Sequence, residues 1–381
     1  MMSTIVAWWL YEVTRDPLAI GLVGLAEVIP AVGLALYAGH VIDTRERTSI
    51  LKVSLGLYAF TFLLIFTLTT QLVQHHLEQK QWILILYGLI FITGGIRAFS
   101  GSSFVSILAQ IVPYERLTNA ITINSGVFLI SAITGHAAGG LLIALLGVEG
   151  ASLISFIFVL TAALIVSRLE KLPISNPAVR AGTLESVKEG LRFVYKTKDL
   201  LAAMTLDLFA VLFGGAVAMV PAFAKDILNV GPSAFGWLNA ASDIGSMITI
   251  VALTLRPLAR NQGKILMYAV AGFGAAIIVF GLSKSYLLSF VALFFSGMLD
   301  GISTIIRGTI AQLKTPNELK GRVMSVNSMF ISSSNEMGQF ESGVAGKLLG
   351  LVPSVVFGGS MTLIVVIMTW WKAPKLKKLE Y

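Results

Sequence analysis

This sequence predicts an all-α, polytopic membrane protein, and three observations carry the prediction. Hydrophobic residues make up 56% of the 381 and charged residues only 13%, about half the charged share of an ordinary soluble domain. Apolar blocks of bilayer-spanning length recur from end to end, with polar turns between them. A stretch at 109–125 repeats at 311–328, so the chain reads as two related halves. This composition excludes a soluble enzyme, a disordered chain and a coiled coil.

The first element is short. Residues 1–12, MMSTIVAWWLYE, are apolar but span only about 18 Å as a helix, against a hydrocarbon core of about 30 Å. No basic segment precedes them, so they are not a signal peptide. They read as the second half of a first helix whose leading half is missing, through truncation or a start codon lying upstream. Full crossings are then expected at 18–39, 50–70, 82–109, 117–146, 151–168, 199–224, 233–255, 265–283, 286–313, 322–349 and 353–371. That is eleven, or about eleven and a half of twelve with the stub. Between the fifth and sixth of these lies the longest polar stretch. It contains Pro173 and Pro177, then TLESVKEGLRFVYKTKD. Thr183 and Ser186 are candidate caps, and Leu184, Val187, Leu191 and Val194 share one helical face. An amphipathic helix on the membrane surface is expected there. The domains are therefore 1–168, an N-terminal bundle with an incomplete first helix; 169–198, a cytoplasmic linker; and 199–381, a C-terminal bundle with a basic tail.

Orientation follows from lysine and arginine. With the stub counted as helix one, the even-to-odd loops, the linker and the tail hold 21 of the 28 basic residues. The opposite loops hold five: Arg15, Lys80, Lys225, Lys284 and Lys347. Arg97 and Arg307 lie inside helices. The basic loops and the C-terminus are expected in the cytoplasm. The net charge of +8 is thereby accounted for without nucleic acid as a partner.

The repeat aligns AQIVPYERLTNAITINS at 109–125 with AQLKTPNELKGRVMSVNS at 311–328, an offset of 202 to 203 with one gap. Both copies lie on a basic loop leading into the next crossing. Two parallel six-helix repeats are a transporter plan, with the solute site at their interface near the midplane.

Catalytic motifs are missing. The sequence has no P-loop and no HExxH, and no plausible Ser/His/Asp set. Cysteine is absent, which excludes disulfides, Cys-ligated zinc, iron–sulfur clusters and a Cys nucleophile. Four scattered histidines make no metal site. No enzyme activity, metal or cofactor is expected. Energy for any uphill step must come from an ion gradient, which needs titratable groups inside the membrane.

Such groups exist. Glu27, Asp207, Asp243, Asp300, Glu336 and Glu341 lie inside predicted crossings, with Arg97 and Arg307. An ionised group at the bilayer centre costs on the order of 3 kcal/mol or more, so it faces a cavity or a partner. Glu27 lies about 14 Å into its helix and Asp243 about ten residues into its own. Asp207, Asp300, Arg97 and Glu336 are also central, whereas Glu341 lies nearer the outer surface and Arg307 nearer the cytoplasm. Asp207, Asp300 and Glu336 rank first for proton coupling or solute contact. A fixed interhelical salt bridge is the alternative role for each. Ser332, Glu336, Gln339 and Gly343 share one helical face, which suits cavity lining.

Gly39, Asp43, Glu46 and Arg47, in GHVIDTRERTS, sit at the exit of the second helix. They are read as a gate, or as an ordinary charged turn. Gly135, Gly139 and Gly140 have the small-xxx-small spacing of close helix packing, a packing hinge. His136 beside them is expected as a packed, hydrogen-bonded histidine or a proton site.

These residues resemble the major facilitator superfamily. GHVIDTRERT resembles its signature G-x-x-x-D-R-x-G-R-K between helices two and three. Gly39, Asp43 and Arg47 match, while Thr44 and Glu46 depart. GHAAGG at 135–140 resembles the exporter signature G-P-x-x-G-G of helix five, with His136 in place of Pro. Residues 206–228, 96–104, 318–330 and 334–343 are similar to the enterobactin-exporter-like, drug:proton antiporter branch. The resemblance implies two six-helix bundles in a bacterial inner membrane, with the C-terminus in the cytoplasm. It further implies a monomeric secondary exporter, by proton antiport, of an amphipathic small molecule: a catecholate-type siderophore or a set of drugs. Partners are that solute, protons and the bilayer. An importer of the same fold, or a non-transporting scaffold or sensor, is the alternative.

Overall fold

A computed structural model describes the backbone of the chain except residues 114–115, 171–182, 257, 259, 317–318, 378 and 381. Within helices, the side chains at 36, 40, 43, 44, 102, 105, 106, 109, 117, 118, 183–186 and 216 also lie outside the description. No strand occurs among the described residues. The leading helices are α1 (Met2–Thr14), α2 (Pro17–Thr44), α3 (Arg47–Thr69), the short α4 (Gln71–His76), α5 (Gln79–Ile111) and α6 (Leu117–Ser167). Helix α7 (Thr183–Lys196) follows. The trailing helices are α8 (Lys198–Gly214), the single turn α9 (Val220–Ala222), α10 (Pro232–Leu255), α11 (Gln262–Leu282), α12 (Tyr286–Lys314), α13 (Lys320–Leu349), α14 (Leu351–Lys372) and α15 (Pro374–Lys377).

Nine helical stretches among the described residues are long and apolar enough to cross a membrane. One of them, Asn119–Ser167, runs for 49 residues, enough for two crossings. Helix α13 is long enough but outside the nine, because Ser332, Ser333, Ser334, Asn335, Glu336 and Gln339 dilute its apolar content. With that division and that addition, the eleven expected crossings are accounted for.

Local chemistry sets the boundaries. Asp16 caps α2 by accepting from Leu18 N at 3.0 Å, with Pro17 at the first helical position. Glu78 and Gln81 form a capping box on α5. Gly350, at φ 90°, makes the α13–α14 turn that a side chain resists. Three expectations need correction. The gap expected at 147–150 is a kink rather than a loop, because Gly147 alone takes φ 69° inside α6. The crossing expected at 199–224 is present within Lys198–Ile227 but is not one uniform α-helix: after α8 it passes into a 3-10 turn (Gly215–Met219), α9 and a π turn (Phe223–Ile227). Helix α4 occupies what reads as loop.

Helix α7 forms where the amphipathic pattern puts it, but it rests on protein. A Cβ at Gly190 would lie 2.9 Å from the Arg322 carbonyl oxygen of α13. Val194 is buried with Leu200, Val323 and Val326, and Glu189 pairs with Arg322. Val187 and Val194 of its apolar stripe thus pack toward α13 and α8, whereas Leu191 is 43% exposed. Leu184, Thr183 and Ser186 lie outside the described side chains. The same buried cluster holds Leu376 and Leu379, so the basic tail folds back against the trailing helices.

Because successive crossings alternate in direction, the loops rich in lysine and arginine fall at one end of the bundle, the basic face, where Arg322 pairs with Glu189 and Lys314 lies 3.7 Å from Asp199. At the opposite face the leading and trailing helices lock together. Ile5, Trp8 and Tyr11 of α1 join Met219, Phe223, Phe235 and Phe280 in one buried cluster. Three ion pairs cross there: Arg15–Asp226 at 2.7 Å, Lys225–Glu12 at 2.6 Å and Lys347–Asp16 at 2.6 Å. Tyr11 also donates to Asp226. Two helix contacts run down from this face. In α2–α13, a Cβ at Gly21 would lie 2.9 Å from Gly343 Cα. In α6–α10, a Cβ at Gly140 would lie 2.7 Å from Gly236 Cα. Toward the basic face, Gly33, Gly101, Gly126 and Gly308 have open space where a Cβ would stand.

Gly140→Ala is therefore expected to push α6 and α10 apart and destabilise this closed arrangement by about 1–3 kcal/mol, the usual cost of overpacking. The chain has no cysteine, so spin labels at Val13→Cys and Lys284→Cys report the opposite face directly. A longer label separation in the Ala variant is the expected result, and an unchanged distance counts against it.

Candidate functional site

Two close helix contacts build the site. Gly94 on α5 faces the Glu27 carbonyl and the Pro30 ring of α2, with no room for a Cβ. Arg97 is three residues on, on the same face, and so arrives opposite Glu27. Gly24 on α2 approaches α13 in the same way: a Cβ there would lie 2.5 Å from the Glu336 carbonyl oxygen. Glu27 is again three residues on. The result is a triad. Arg97 Nη1 donates to Glu27 Oε1 at 2.6 Å and to Glu336 Oε1 at 3.0 Å. Glu27 and Arg97 are half-buried and Glu336 is buried. One guanidinium nitrogen thus joins two leading helices to a trailing one.

The triad borders a cavity of about 560 Å³ between the leading and trailing helices. Ser3, Thr4, Asn239, Asn335 and Gln339 add polar lining, Phe273 and Val211 apolar lining, and Asp300 a further charge. A polar, water-accessible pocket with a few aromatic and aliphatic walls suits an amphipathic ligand. A neighbouring cavity of about 850 Å³ among the leading helices α1, α2, α3, α5 and α6 shares Ser3, Val23 and Glu27 and is lined by Tyr58 and Phe62.

Behind the cavity wall lies a second charged group. Arg307 pairs closely with Asp207, both 7% exposed, and its Nη2 is 3.9 Å from Asp300 Oδ1. Ser303 and Thr304, one turn earlier on α12, accept from Nε and Nη2 at 3.1 Å each. Asp300 borders both the central cavity and a small void that also touches Asp207. Charge therefore runs from the cavity wall into the trailing helices.

His136 forms a third cluster. Its Nδ1 is 2.7 Å from Thr4 Oγ1, and its Nε2 is 3.6 Å from Asp243 Oδ2, beyond hydrogen-bond reach. Asp243 Oδ2 is buried without a hydrogen-bond partner. His136 also borders the central cavity.

The residues singled out in the sequence thus separate into groups. Glu27, Arg97, Glu336 and Asp300 line the cavity; Asp207 stands behind it and Asp243 beside His136. The polar stripe of α13 divides: Glu336 and Gln339 face the cavity, whereas Gly343 packs on Gly21. Gly135 and Gly139 face the start of α1, and Gly140 faces Gly236. At the basic face Glu46 caps α3, accepting from Thr48 N and Ser49 N at 3.1 Å each. Gly39 lies within α2, Arg47 begins α3, and the Asp43 side chain lies outside the description. Sequence reading missed Thr4, Asn239 and the ion pairs of the opposite face. A signal for the latter was present: of the five basic residues on that side, Arg15, Lys225 and Lys347 all pair across it.

Comparison with known proteins adds family and fold. Residues 1–338 match the family model described as Major Facilitator Superfamily. The uncharacterized MFS-type transporter YfmI of Bacillus subtilis (strain 168) is 26% identical over 274 residues, 69% of this chain and 66% of that protein. The chain thus spans just under two thirds of that relative's length. Enterobactin exporter EntS of Shigella flexneri is 25% identical over 336 residues, 88% of this chain and 78% of that protein. Among solved structures, a variant of nucleoside transporter NupG superposes with a TM-score of 0.75 at 14% identity, covering 97% of this chain and 94% of that one. A POT family transporter in complex with 5-aminolevulinic acid superposes at 0.74 and 10%, covering 98% and 93%. At these identities the structures share a fold with this chain.

Proposed function

The chain belongs to the Major Facilitator Superfamily, and from that membership we propose a proton-coupled exporter of an amphipathic small molecule, working by alternating access. It is a multi-pass membrane transporter of small-molecule solutes. In the proposed reading the basic face and the C-terminus lie in the cytoplasm of a bacterial cell, so this conformation is open inward and shut outward. The protein works as a monomer in the inner membrane. Residues 1–168 and 199–381 are the two moving bundles, joined by 169–198.

The observation that carries the reading is Arg97 held between Glu27 and Glu336 across the cavity. Fully ionised, this triad carries one net negative charge, and a single proton neutralises it. Opening the opposite face draws α13 away from α2 and breaks the Arg97–Glu336 contact. Glu336 then meets outside water and takes up a proton. Return to the present state restores the contact and releases the proton to the cytoplasm, where solute loads. Asp300 contacts solute, and Asp207 answers to it through Arg307. Asp243 with His136 works at the α6–α10 seam, where Gly135, Gly139 and Gly140 form the hinge. Gly39, Asp43, Glu46 and Arg47 form the inner gate. The similarity to enterobactin exporters supports a catecholate siderophore as solute, and the mixed lining supports amphipathic drugs.

Everted membrane vesicles with an imposed inside-acid gradient test this. Uptake of a catecholate siderophore or a cationic dye, abolished by a protonophore, is the expected result. Folded protein that moves neither would sink the proposal. Counterflow in right-side-out vesicles separates export from import.

A further inference from the structure

We propose that the groove between α8 and α14, on the lipid-facing side of the trailing helices, binds one anionic phospholipid from the leaflet at the basic face. The groove has a volume of about 620 Å³. Its α8 wall is Lys198, Leu201, Ala202, Thr205, Phe209 and Phe213, residues spaced along one helical face. At 100° per residue this face is opposite the one that carries Asp207 and Val211 toward the cavity interior. The groove is thus separate from the transport cavity. Its α14 wall ends in Met368, Thr369 and Lys372.

Length and charge identify the occupant. Fifteen residues separate Lys198 at the mouth from Phe213 at the deep end, about 22 Å along the helix. One leaflet with its headgroups is about 20–22 Å thick, half of the full bilayer. Phe209 and Phe213 stack with ring centroids 6.4 Å apart, and Phe357 meets Phe213 edge-on. The Phe209 and Phe213 rings with Met361, Val365 and Met368 give an apolar bed for acyl chains. All the positive charge lies at one end, where Lys198, Lys372 and Lys375 ring the mouth. None of the three pairs with a carboxylate among the described residues. Asp199, also at the mouth, is 3.7 Å from Lys314. The tail holds the lysines there: Leu376 is buried, and Lys377 sits over the Trp370 ring at 4.0 Å. Exposed Trp371 on the same turn marks the level of the membrane interface. A basic pocket between membrane helices selects an anionic headgroup, and the apolar trough below it takes acyl chain, which free phosphate lacks.

Native mass spectrometry of the purified full chain tests this without reference to transport. Dioleoyl phosphatidylglycerol and dioleoyl phosphatidylcholine are added in equal amounts. The expected result is one retained phosphatidylglycerol, favoured about tenfold or more over phosphatidylcholine, since each lysine near an anionic headgroup contributes roughly fivefold. The combined variant Lys198→Gln, Lys372→Gln, Lys375→Gln should reduce that preference at least tenfold. Ala202→Trp, which fills the trough without altering charge, should displace the bound lipid. Equal retention of both lipids by the unaltered chain overturns the proposal, as does full retention of phosphatidylglycerol by either variant. The comparison of lipids on the unaltered chain needs no variant to fold.

Discussion

Arg97→Gln is expected to abolish gradient-driven transport while the protein still folds. Arg97 Nη1 holds Glu27 at 2.6 Å and Glu336 at 3.0 Å. Removing it leaves two carboxylates facing one another with no cation between them. Breaking a fully buried ion pair costs about 3–5 kcal/mol. Arg97 is 38% exposed and Glu27 26%, so solvent screening reduces that to about 2 kcal/mol. This is too little to unfold the bundle but roughly 30-fold in the balance between conformations, since the lost contact belongs to one of them. Glu336→Gln separates coupling from movement. It removes a titrating group but keeps an acceptor for Arg97, so solute exchange without a gradient should persist while gradient-driven uptake is lost. Arg97→Lys should retain part of the activity, because both contacts are made by one nitrogen. The measurement is vesicle uptake with and without the pH gradient at matched protein levels. Full gradient-driven uptake by Arg97→Gln would remove the triad from the mechanism.

The second large effect falls on stability. Arg307 and Asp207 are each 7% exposed and closely paired, with Ser303 and Thr304 completing the guanidinium's bonds. Arg307→Leu leaves Asp207 buried without its partner and is expected to cost about 3–5 kcal/mol. The thermal unfolding midpoint in detergent should fall clearly. Joining it to Asp207→Leu should recover much of the loss, because an apolar pair avoids the desolvation of two charges. Asp207→Asn alone should be milder, since Arg307 still has Asp300 3.9 Å away. That variant is expected to fold and to lose gradient-driven transport. Normal transport by Asp207→Asn would make the pair purely structural. A double Leu variant no more stable than Arg307→Leu would contradict the ion-pair account.

Much of the fold was legible because crossing a bilayer is a local requirement. About twenty apolar residues suffice whatever the neighbours do, so eleven spans could be read from composition along the chain. The repeat at 109–125 and 311–328 was legible for a related reason: it falls on the α5–α6 and α12–α13 connections, corresponding turns of the two halves. A rise of 1.5 Å per residue places Glu27, Arg97, Asp207, Asp243, Asp300 and Glu336 all near the middle of their helices. Four of the six, Glu27, Arg97, Asp300 and Glu336, line one cavity.

Partnership was not legible. Glu27 and Arg97 are 70 residues apart, and Arg97 and Glu336 are 239 apart. Whether they meet depends on how each helix is rotated about its axis and how closely the helices approach. Those are set by the Gly94 and Gly24 contacts, and a glycine does not name the helix it will touch. The same holds for α7. Its amphipathic pattern specifies a helix with one apolar face, but lipid and the surface of α13 satisfy that face equally. The cap that Glu46 makes was not legible either: its carboxylate accepts from two backbone N–H groups at the start of α3, a contact that depends on where that helix begins. By itself, then, the sequence determined the all-α membrane fold and the spans, because hydrophobic transfer acts residue by residue. Only the tertiary structure decided which charges pair, which face closes and where the cavity lies. Those depend on short-range contacts between helices distant along the chain, whose strength changes within a few ångströms.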